Sequence, residues 1–134
     1  MRKTPSIEGV FPIERNMNNK KNEARKERIQ QRLEAGSMAE HYPEVANIVI
    51  NMTYSQKGAK SILRVFNFYP ASYAFFRINC LSRDCIDGGF DLTQVITSMI
   101  TNRKKVTNGD LSCESNDTPA KHSDIVYEVA IQYA

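Results

Sequence analysis

Two cysteines stand five positions apart in the stretch CLSRDCIDGGFDL, residues 80–92, and a third follows at position 113. Cys80 falls at the end of an apolar, β-branched run and Cys85 in the loop beyond it. Cys113 comes after the next amphipathic segment, and His122 lies just before the last one. Three thiolates and an imidazole form a recognised tetrahedral zinc set, and thiolates, being soft, select zinc over magnesium or calcium. The candidate metal ligands are therefore Cys80, Cys85, Cys113 and His122, with His41, Asp84 or Asp87 as substitutes for the imidazole. The spacing C-x4-C is not the C-x-x-C of a zinc knuckle, and there is no second close pair. The competing reading is of small, buried, reduced core residues, the common state of free cysteine.

Two other chemistries at this loop are weaker. Gly88-Gly89 precedes a helix start, where backbone amides can bind phosphate, but Asp91 already supplies negative charge and a cap there. A nucleophilic Cys85 would need a base and a lowered pKa, and the neighbouring Asp84 works against the thiolate. A thiol-dependent enzyme is accordingly the least favoured class.

The elements that must position these residues can be read along the chain. At 134 residues, with 41% apolar and 25% charged side chains, the chain has the composition of one folded domain with an arm. No apolar run reaches the roughly 18 residues of a membrane helix, and the N-terminus lacks the apolar core of a secretory signal. A cytoplasmic location with reduced thiols is expected.

Residues 1–13 read as an extended lead-in, and 16–35 as a helix stopped by Gly36. The helix has little apolar face, and Ala24, Ile29 and Leu33 are about all it can bury. Residues 1–36 carry nine Lys/Arg against five Glu, whereas 37–134 carry nine against ten Asp/Glu. The basic character thus belongs to the arm, not to the domain. Lys20, Lys21, Arg25, Lys26, Arg28 and Arg32 form its candidate nucleic-acid surface, although interspersed glutamates favour a solvated helix of mixed charge.

After a connector at 37–45, residues 46–54, 61–69 and 73–80 read as three strands joined by short turns. Ile48, Ile50, Met52 and Tyr54 share one parity of the first. Asp91 and Gln94 suggest a capping box, Phe90 and Val95 a hydrophobic staple. Leu92, Val95, Ile96, Met99 and Ile100 form one helical face. Asn108-Gly109 reads as a closing turn, DLSC as a short strand, and 124–133 as a long strand with Ile125, Tyr127, Val129, Ile131 and Tyr133 inward. The fold class expected is α+β. It has a mainly antiparallel sheet (a three-strand meander, then helix, then one short and one long strand) and an N-terminal basic helix.

An aromatic cluster, Phe66, Phe68, Tyr69, Tyr73, Phe75 and Phe76, interleaves with Arg64 and Arg77. RNA stacking is conceivable there, but the element order does not match the sheet modules that use it, and core or cross-strand pairing is simpler. Because Phe75 and Phe76 are adjacent, one aromatic face should lie outside the helix-covered core. The function expected is that of a small non-enzymatic binding or assembly module, with zinc as its candidate stabilising ion, whose partner is another protein or a second copy of itself. A nucleic-acid-associated protein using the basic helix is the alternative.

Overall fold

The computed structural model describes residues 12–82, 85, 88–113 and 123–134, with side chains from residue 19 onward. Its order is α1 (Pro12–Ala35), α2 (Met38–His41), β1 (Val45–Gln56), β2 (Ile62–Phe68), β3 (Arg77–Asn79), β4 (Gly89–Asp91), α3 (Thr93–Thr101), β5 (Val106–Ser112) and β6 (Ser123–Tyr133). Four strands make one antiparallel sheet in the order β2-β1-β6-β5, and β3 and β4 form a separate antiparallel pair. The fold is α+β with an antiparallel sheet, as the sequence pattern indicates.

Strict alternation sets the faces of the two central strands. Ile48, Ile50, Met52 and Tyr54 of β1 are buried beside Ile131, Val129, Tyr127 and Ile125 of β6, their register partners. A period of two places these residues on one side, and their burial removes most of their apolar surface from water. α3 adds Ile96, Met99 and Ile100 to the same core, with Leu92 just before it and Phe90 from β4. The Tyr133 hydroxyl donates to the carbonyls of Met99 and Lys104 at 3.1 and 2.8 Å, tying the C-terminal end of α3 to β6. The opposite sheet face is uncovered among the described residues and carries exposed Leu63, Val65, Val106 and Val126.

Four local expectations are revised. The segment 73–80 does not add a third strand to the main sheet; only Arg77–Asn79 is strand, and it pairs with Gly89–Asp91. Gly88-Gly89 is not a free turn: the Gly88 carbonyl accepts from Cys80 N–H at 3.0 Å, and a Cβ on Gly89 would lie 2.6 Å from the Ile78 carbonyl oxygen. This close approach is what the glycine permits. The capping box at Asp91 is absent, because β4 pairing holds Asp91 one residue too early; its carboxylate instead accepts from Thr93 N–H at 2.9 Å. Asn108-Gly109 is not a turn but the middle of β5, where the Tyr127 side chain crosses the glycine.

The connector hides one turn of helix. Ser37 and Glu40 form a capping box, with Glu40 N–H donating to Ser37 Oγ and Ser37 N–H to Glu40 Oε1. Those bonds to Ser37 hold the Glu40 carboxyl below its usual range. Gly36, at φ +75°, ends α1 as expected.

α1 docks on an unexpected face. Ile29 and Leu33 remain 52% exposed, while Lys21, Ala24, Arg28 and Ala35 are the partly buried positions. Spacings of three, four and seven put these on one side of the helix. The apolar content was too thin to choose the contact face, and the neighbouring thiol loop chose it instead.

Candidate metal centre

Cys80 is carried by the end of β3, Cys113 by the end of β5, and Cys85 by the segment between β3 and β4. The three Sγ atoms all lie within 4.8 Å of one another. The Cys85 and Cys113 sulfurs lie 3.7 Å apart. A tetrahedral site with Zn–S bonds of about 2.3 Å needs sulfurs about 3.8 Å apart, from the tetrahedral edge relation. The cluster is therefore within a side-chain rotation of metal-ligand geometry and can hold a metal.

Backbone contacts fix the approach. Cys113 N–H donates to the Ser123 carbonyl at 3.0 Å, joining the end of β5 to the start of β6. Cys85 N–H donates to the Ser82 carbonyl at 3.2 Å, which holds Cys85 beside the segment that follows β3. Around Cys80, the Ser82 N–H points at the sulfur from 3.5 Å and the Ser123 hydroxyl lies 3.3 Å away. The Tyr54 hydroxyl, which donates to Gln56, is 3.7 Å from the same sulfur. The Ser82 N–H and the Ser123 hydroxyl can share the charge of a metal-bound thiolate in this way.

Cys85 and Cys113 are buried and Cys80 is partly so. Burial first, then the neighbouring sulfurs, push the Cys113 thiol up to about 12 from an ordinary 9.0. Burial likewise pushes Tyr54 up to about 12. A thiol held neutral in this way is a poor nucleophile at neutral pH; only a cation placed among the sulfurs would favour its thiolate.

The remaining candidates fall elsewhere. His41 sits exposed at the end of α2 and is not among the clustered ligands. His122, Asp84 and Asp87 lie outside the described residues. Nothing in the sequence pattern marks the hydroxyls of Tyr54 and Ser123 as neighbours of Cys80: alternation places Tyr54 inward but does not say at which end of the core. Nor did it indicate that Lys21, Arg25 and Arg28 of α1 face Cys80 and Cys85 across a cavity of about 180 Å³. The helical spacing of those cations is visible in the sequence, but not what lies opposite.

No helix among the described residues is long and apolar enough to cross a membrane. No family model matches the chain, and no curated protein or solved structure was found to be similar to it.

Proposed function

We propose that this chain is a non-enzymatic binding module in which one zinc ion, held by Cys80, Cys85 and Cys113 with His122 as fourth ligand, fastens the β3–β4 pair to the main sheet. The observation that carries this reading is the meeting of three sulfurs from three separate segments within 4.8 Å. The two sheets share no hydrogen-bonded strand edge, so a metal spanning them would supply a connection the ladders do not. Three thiolates leave a divalent ion with net negative charge, and Lys21, Arg25 and Arg28 across the small cavity offset it. The chemistry suits the reducing cytoplasm, where such thiols stay available. The neutral state of Cys113 without metal argues for a structural rather than a nucleophilic role.

The test is metal analysis of protein purified under reducing conditions without added metal. One zinc per chain is expected, with loss of stoichiometric binding in Cys113→Ser. Metal-free protein whose three thiols react freely, or a mass two hydrogens short from a Cys85–Cys113 disulfide, would refute the proposal. The binding role is supported by the uncovered sheet face with Leu63, Val65 and Val126. Native mass at two protein concentrations tests whether a second copy is the partner.

A further inference from the structure

Beyond residue 19, four basic residues of α1 separate from the acids once the helix is wound, while Lys20 and Lys26 lie on the acidic side. At 100° per residue, Lys21, Arg25, Arg28 and Arg32 fall within about 60° of one another, while Glu23, Glu27 and Glu34 cluster on the far side. The cationic stripe runs about 16 Å, from 1.5 Å per residue. Its first three members line the small cavity beside the thiols. Arg32 lines a larger groove of about 550 Å³, a size suited to small-ligand or single-base recognition. Asn79 borders both, so the two spaces are neighbours along one side of the helix.

The floor of the groove is aromatic. Phe66, Tyr73 and Phe75 line it, and Arg64 of β2 stands on its rim. Arg32 lies over the Phe75 ring at 5.8 Å from its centroid, so stripe and floor meet there. No carboxylate among the described residues lines either space. Rings partly open to solvent, interleaved with arginines and continued by a cationic track, match the needs of bases that stack while their phosphates are neutralised. A duplex hides its base faces, and a simple polyanion has no use for rings.

We propose that the Phe66/Tyr73/Phe75 groove and the Lys21–Arg32 stripe together bind a single unpaired nucleic-acid strand, bases on the rings and phosphates along α1. The stripe shares Lys21, Arg25 and Arg28 with the zinc reading, but the rings, Arg32 and Arg64 owe nothing to a metal, so the test below does not depend on one. The sequence pattern had set the rings aside as core pairs and the helix as a mixed-charge surface. Phe76 is indeed core, stacked edge-on against Phe68 at 5.1 Å, but Tyr73 is 42% exposed.

The test is fluorescence anisotropy with a labelled 12-nucleotide strand, as RNA and as DNA, against the duplex of the same sequence over a salt series. Both single strands should bind, with the duplex at least tenfold weaker. Arg32→Ala and Arg64→Ala, at exposed positions that leave the fold intact, should each weaken binding and flatten the log–log salt slope by about 0.7. Phe75→Leu should weaken it by about tenfold with the slope unchanged; circular dichroism checks that this variant folds. Failure to bind the single strand, equal affinity for the duplex, or indifference to Arg64→Ala overturns the proposal. So does indifference of the folded Phe75→Leu variant, which would mark a plain polycation.

Discussion

Removing the metal should loosen the chain without unfolding it. Cys85 and Cys113 are 28 residues apart, and a cross-link closing a loop of that length removes unfolded-state entropy equivalent to about 3.5 kcal/mol at 25 °C. The core assembled by β1, β6 and α3 does not depend on that link. The thiols are already packed against one another, so extraction leaves no large void. For a chain of this length about 3.5 kcal/mol corresponds to a drop in Tm of about 10 °C. The assay is thermal unfolding of zinc-loaded protein before and after chelation under reductant, followed by zinc re-addition. The chelated protein should melt cooperatively about 10 °C lower, zinc should restore the loss, and Cys113→Ser should melt near the chelated value with no response to chelator. A shift below about 2 °C in protein shown to have lost its zinc would refute the cross-link argument. Complete loss of the transition would show instead that the core is not self-sufficient.

Three further outcomes follow from the same contacts. In metal-free protein, Cys113 holds its proton to about pH 12, against an ordinary 9.0. The folded state therefore binds that proton more tightly than the unfolded chain, so stability is complete below pH 9 and falls as pH climbs toward 12; urea midpoints at pH 8 and 11 should show the decline. Gly36→Ala forces a Cβ into φ +75° and to 2.8 Å from His41 Nε2, and should cost more than about 1 kcal/mol in denaturant titration. Ile96→Ala, at a fully buried position of α3, should cost about 2–5 kcal/mol by the same measurement.

What could be read from the sequence was whatever a short period determines. The alternation of 46–54 and 124–133 places the right residues inward, and the repeat from Leu92 to Ile100 marks the buried face of α3. Placing Cys80 and Cys113 at strand ends brought their sulfurs within reach of one another. What the pattern could not supply was decided by contacts across the fold. Arg77–Asn79 is three residues long, too short for a period, and its pairing depends on the glycines opposite. Asn108-Gly109 has turn composition, yet stays extended because a Cβ there would lie 2.6 Å from the Tyr127 hydroxyl. In α1 the apolar pair Ile29 and Leu33 misdirected the choice of face, since the buried side is set by the loop it covers.

β6, last in the order of elements, lies between β1 and β5, with Val45 paired to Tyr133. During synthesis the β1–β2 hairpin must therefore wait, one hydrogen-bonding edge and a row of isoleucines unmet, until β6 has been made. Folding is in this sense a late event, of the kind in which a chaperone can hold the nascent chain. Without β6 the central strand is gone, and β1 and β5 are left as two unjoined edges.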